Sequence, residues 1–191
     1  MSGRGALRPY GILLMFYPEI HHRRTTRLRG YDYTSQGSYF VTICTKYREC
    51  VFGQVVRDKM VLGNFGLIAQ DEWLKTAVLR SNVKAGQFII MPNHVHGIIT
   101  ITAPDAARCV PTEAGRLIPG SLPAIIQGYK SGVTKRINEM RGSPGEPVWQ
   151  ERYWDHVVRD ELELGRIVEY IDANPVNWAK DEENILDSEK L

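Results

Sequence analysis

"IIMPNHVHGIITIT", residues 89–102, decides how the chain is read. The stretch is almost wholly apolar, yet it carries two histidines, His94 and His96, one residue apart. Side chains alternate between the two faces of a strand. His94 and His96 therefore share a face with Ile98, Thr100 and Thr102. Val95, Ile99 and Ile101 line the other face, which is apolar enough to pack on a helix. Two imidazoles at that spacing can converge on a divalent cation, or they can be hydrogen-bonded neighbours in a polar patch. The pair alone leaves both readings open.

Working outward, "GQFIIMP" (86–92) is a second strand, and Pro92 and Asn93 suit a tight turn between the two. "SYFVTICTK" (38–46) is rich in β-branched and aromatic residues and reads as a strand. "CVFGQVV" and "KMVLG", joined by Arg57 and Asp58, read as a hairpin. Residues 64–81 have roughly helical periodicity, with Asn64 as the expected cap. Residues 103–119 lack periodicity and read as a surface loop. A second helix is predicted over 121–140, although Gly128 and Gly132 disfavour it. "GSPGEP" breaks the chain, and "VWQERYWDHVVRD" is aromatic and basic. The order strand, hairpin, helix, two strands, two helices predicts an α+β protein, an antiparallel sheet with helices packed on it.

The third helix, expected over 160–174, opens on Asp160 and Glu163, a variant of the capping box. Its apolar stripe is Leu164, Ile167, Val168 and Ile171. Tyr170 falls about 110° from the centre of that stripe and Asn174 about 70°, on the same flank. Four residues apart, the two side chains are neighbours. Pro175 disfavours helical backbone at Asn174, so the helix is predicted to end there. A phenol and an amide thus stand at the edge of the packing face. Asn174 can offer its carbonyl oxygen to a hard cation, or simply cap the helix.

Composition bounds the alternatives. A chain of 191 residues suffices for one domain with a sizeable core. Hydrophobic content of 43% and charged content of 24% are ordinary for a globular protein. The apolar run "GILLMFY" is far short of the ~20 residues that span a bilayer, and no signal-peptide cleavage site follows it, so a cytoplasmic location is expected. Three cysteines without a CxxC pair argue for reduced thiols. Net charge is only +2, but residues 1–30 hold six arginines against one acid, Glu19. Such an arm suits a polyanionic partner, or is a solvated terminus. The segment from Lys180 onward is acidic.

"PNHVHGII", taken with "VWQERYWDHVVRDELELGRIVEYIDANP" and the opening "HHRRTTRLRGYDYTSQGSYFVTICTKYREC", resembles the REP-associated tyrosine transposases. These are relatives of the insertion-sequence-200 type single-tyrosine transposases, within the HUH endonucleases. The resemblance spans roughly residues 20–178. It implies a ferredoxin-like HUH fold whose C-terminal helix carries the nucleophile, Tyr170. It implies His94, His96 and Asn174 as ligands of a divalent metal, Mg²⁺ or Mn²⁺. It places Tyr129 as a packing residue. It divides the chain into an N-terminal extension (1–20) without fixed structure, one catalytic domain (21–178) and an acidic tail (179–191). Met15 is then a candidate start.

The substrate implied is single-stranded DNA folded into a hairpin, in the cytoplasm at the nucleoid, handled by a monomer or a homodimer. Attack by Tyr170 would give a covalent 5′-phosphotyrosine and a free 3′-hydroxyl, which a second 3′-hydroxyl can reseal. Arg23, Arg24, Arg27 and Arg29 are expected on DNA phosphates or groove edges. Trp149, Tyr153 and Trp154, interleaved with Arg152 and Arg159, are candidates for stacking on unpaired bases, at least one tryptophan being expected in the core. Two other readings remain: a hairpin-binding protein that does not cleave, and a metal-dependent phosphoesterase that uses water as nucleophile.

Overall fold

The structure, a computed structural model, describes residues 30–102, 117–181 and 183–184. The arginine arm at 23–29 and most of the 103–119 segment lie outside the described residues. Strands β1 (Gly37–Cys44), β4 (Val83–Ile90), β5 (His94–Ile101) and β6 (Trp154–Val158) form one antiparallel sheet in the order β4-β5-β1-β6. Strands β2 (Gly53–Val56) and β3 (Lys59–Leu62) make a separate hairpin. Its two turn residues, Arg57 and Asp58, both take positive φ, 49° and 61°. That is the backbone of a two-residue turn whose twist matches its strands. Helices α1 (Asn64–Val78), α2 (Leu122–Arg141) and α3 (Glu161–Asn177) complete the fold. Among the described residues no helix is long and apolar enough to cross a membrane.

Strand β5 lies between β4 and β1 with both faces covered, which is why the sequence around the histidines is so apolar. On one face Val95, Ile99 and Ile101 join Tyr39, Val41 and Ile43 of β1 under α1 and α2. Gly97 belongs to this face, and a Cβ there would run into the indole of Trp73. On the other face Ile98 and Phe40 pack with Ile171, and with Leu164, Ile167 and Val168 of α3. The helices therefore sandwich the sheet, and the stripe read from the sequence is the one α3 buries.

Four expectations need correction. Asn64 does not cap α1: Gly63 holds the N-cap position, without a side-chain hydrogen bond. The helix is anchored instead by Gly63 N–H donating to Phe52 O and by Gly66, which lies against that carbonyl. Gly128 and Gly132 do not interrupt α2, which runs unbroken through both. The ends of the Arg80 and Glu72 side chains, reaching across from the α1 side, lie over these two glycines. Segment 154–158 is a strand, which adds β6 to the sheet. Finally, α3 continues past Asn174 through Pro175 to Asn177, and a short 3-10 turn, Trp178–Lys180, follows. Asn177 Nδ2 donates to Ala173 O at 3.0 Å, satisfying a carbonyl of the last turn.

Candidate active site

The start of α3 is fixed by its cap. Asp160 Oδ1 accepts from Glu163 N at 2.8 Å, and Glu163 Oε2 accepts from Arg159 N at 2.7 Å. Farther along, Gln87 of β4 hydrogen-bonds Asp172. So held, α3 brings Tyr170 over the histidine pair of its own chain. The Tyr170 hydroxyl lies 3.3 Å from His96 Nε2. The rings of His94 and His96 are 4.4 Å apart between centroids, and those of His96 and Tyr170 5.2 Å. Phe40 stands edge-on to Tyr170 at 6.0 Å and limits the swing of the phenol.

Both histidines are buried, at 0% and 3% exposure. Burial holds the His96 pKa down to about 3. Burial, with the neighbouring His96 and Arg48 adding to it, holds His94 well below the usual imidazole range. Each ring is thus neutral at pH 7, with a lone pair to give. His96 Nδ1 meets Thr42 Oγ1 at 2.9 Å, from its cross-strand partner on β1. His94 Nδ1 meets Asn93 Oδ1 at 2.9 Å. His94 Nε2 has no hydrogen-bond partner among the described residues, and neither has Asn174 Oδ1, in a residue only 2% exposed.

A buried acceptor without a donor is costly, and a bare His94 Nε2 next to the His96 ring suits a cation. Asp181 supplies more. Its carboxylate and the two imidazoles have ligand atoms within 4.8 Å of one another. Two neutral nitrogens and a carboxylate are a donor set that fits Mn²⁺ or Mg²⁺, and the buried Asn174 Oδ1 is a further oxygen without a donor. Asp181 arrives because α3 runs on past Pro175, and Trp178 of the following turn lies 5.9 Å from the His94 ring. No sequence periodicity flags a residue after the helix. Thr42 and Asn93 were equally hidden: the first needs the strand register, the second reads as a turn residue.

Of the residues expected to meet DNA, Arg152 and Arg159 are exposed. Trp149 is not placed to stack on a base. It is 6% exposed, packed between Phe52 and Tyr129, and its indole N–H donates to Lys130 O. An isolated bridge between Thr45 and Trp149, a long-range pairing, draws it inward. Trp154, on the edge strand, remains partly exposed. It stands edge-on to Phe40 at 5.6 Å, and its ring lies parallel to His156 at 5.9 Å. Tyr129 packs in the core at 2% exposure, against Trp73 and Trp149.

No protein-family model matches the chain. A Haemophilus influenzae protein described as "Uncharacterized protein" is 36% identical over 170 residues, covering 85% of this chain and 93% of that one. Among solved structures, a REP-associated tyrosine transposase bound to a REP hairpin superposes with a TM-score of 0.58. The match has 18% identity over 83% of this chain and 77% of the other. The chain therefore belongs to one family with the Haemophilus influenzae protein, and its fold is that of a REP-associated tyrosine transposase.

Proposed function

We propose that the protein is a metal-dependent transposase that nicks single-stranded DNA beside a hairpin and transfers the strand. One observation carries the reading: the Tyr170 hydroxyl lies 3.3 Å from Nε2 of His96, one of two adjoining buried, neutral imidazoles on its own chain. A free phenol has a pKa near 10 and is a poor nucleophile at neutral pH. A divalent cation held by His94, His96 and an oxygen from Asn174 or Asp181 would polarise the scissile phosphate.

Tyr170 Oη attacks phosphorus as its proton leaves to solvent. The bond to O3′ breaks, and the 5′-phosphate stays on the tyrosine. Phe40 and the packed stripe of α3 hold the phenol in line. One tyrosine acts on one strand at a time, and it reaches its histidines without a second chain. The fold relative is bound to a REP hairpin, which favours a hairpin as the DNA element recognised. Arg152 and Arg159 would track phosphates, and Trp154 takes the base-stacking role that Trp149 cannot.

The test is incubation with labelled single-stranded hairpin DNA and Mn²⁺, resolved on a denaturing gel. A protein–DNA adduct is expected with the natural chain, lost with Tyr170→Phe and lost on chelation. Binding without an adduct would favour a non-cleaving hairpin binder. Cleavage that survives Tyr170→Phe would favour a hydrolase that uses water.

A further inference from the structure

Asn93 is wholly buried, with every polar group of its side chain engaged. Its Nδ2 donates to two main-chain carbonyls, Arg48 O at 3.1 Å and Glu183 O at 2.6 Å. A carbonyl only accepts, so the nitrogen must be on that side and Oδ1 on the other. Oδ1 faces His94 Nδ1 at 2.9 Å. An amide oxygen also only accepts, so Nδ1 must carry the hydrogen. The neutral ring has one N–H, and the lone pair is therefore left on Nε2, the atom that is buried without a partner. The backbone of Asn93 is fixed as well. Its carbonyl accepts from Thr45 N at 2.8 Å and from Thr45 Oγ1 at 2.9 Å.

His96 is under no such constraint. Its Nδ1 meets a hydroxyl, Thr42 Oγ1, and its Nε2 meets another, Tyr170 Oη. A hydroxyl can donate or accept, so either tautomer of His96 is satisfied.

We propose that Asn93 is a positioning residue that locks His94 as its Nδ1–H tautomer and so presents Nε2 to the metal. Two main-chain carbonyls act through one amide to set which nitrogen of a neighbouring ring is the ligand. The inference rests on the proposed metal-dependent reading for its consequence, but the tautomer itself is a property of the protein without metal. Ligating imidazoles are oriented this way by a partner on the far nitrogen, and loss of such a partner weakens metal binding about 10–100-fold.

The test is long-range ¹H–¹⁵N correlation spectroscopy of the metal-free, ¹⁵N-labelled full chain. In the natural protein the His94 ring is expected to show a protonated Nδ1 and a bare Nε2. In Asn93→Leu, similar in size but without the acceptor, the His94 pattern shifts toward Nε2–H. Titration of Mn²⁺ by electron paramagnetic resonance is expected to weaken about 10–100-fold in that variant. An Nε2–H His94 in the natural chain overturns the proposal, and this measurement stands even if Asn93→Leu does not fold. An Asn93→Leu protein with an unchanged tautomer overturns it too. The reading as a nicking enzyme fails separately, through absence of the DNA adduct while the His94 tautomer is as stated.

Discussion

The two faces of the central sheet are lined by the same strands but do different work. Under α1 and α2 lies the larger core, where Trp73, Tyr39, Ile99 and Ile125 are all at 0% exposure. Under α3 the apolar residues that are buried, among the described residues, are Phe40, Ile98 and Ile171, and the same face carries His94, His96 and Thr42. One face supplies the burial that holds the strands together. The other spends its positions on imidazoles, and its covering helix carries a phenol that the packing alone would not require. A fold can host such a site because stability is concentrated elsewhere.

That contrast can be broken by substitution. Tyr170→Phe keeps the ring and its contact with Phe40, so unfolding free energy is expected to stay within about 1 kcal/mol while adduct formation is abolished. A large fall in its denaturation midpoint would mean that the α3 face also bears the load. Trp73→Ala is expected to do the reverse. Removing an indole packed against Phe88 and Tyr129 should cost about 3–5 kcal/mol in denaturant melts, while the folded fraction still binds Mn²⁺.

Gly97→Ala sharpens the comparison, because the new methyl enters the Trp73 ring from the strand that carries the histidines. A loss of about 1–3 kcal/mol is expected from such overpacking, read as a lower melting temperature. A neutral result would mean that the indole has room to withdraw.

The smallest effect concerns Glu72, which meets Arg136 at 2.7 Å and Lys75 at 3.1 Å. Burial raises its pKa, but the hydrogen bonds from Arg136 and Lys75 outweigh that and carry it below the ordinary carboxylate value. A carboxyl with a depressed folded pKa stabilises above its unfolded pKa, and the benefit is lost as pH falls through the folded value. Stability should therefore decline below about pH 4.3, and Glu72→Gln should flatten that decline by about 1 kcal/mol or less. Identical acid melts for the two proteins would remove Glu72 from the account.

What could be read from the sequence follows the same division. Strands β1, β4 and β5, the hairpin and the three helices announce themselves through periodicity and turn chemistry. His94, His96 and Tyr170 could be placed on a strand face and a helix flank in the same way, but their roles came only with the resemblance to the transposases. Strand β6 did not, because Asp155 and His156 interrupt its apolar pattern and it pairs only with β1, more than a hundred residues away in sequence. Trp149 looked like a surface aromatic among charges until its partners Phe52 and Tyr129 were seen. Asp181 lies beyond a proline that ordinarily stops a helix, and only the continued turn delivers it to the histidines.

That continuation past Pro175 has a mechanical consequence. Nucleophile and candidate carboxylate ligand hang on one rod, with the 3-10 turn as its tip. Tilting the rod by its attachment at Gln87 and Asp172 would withdraw the phenol and the carboxylate in a single stroke. The short path from Tyr170 through Pro175 to Asp181 thus ties the reach of the attacking group to that of the carboxylate in one stretch of chain.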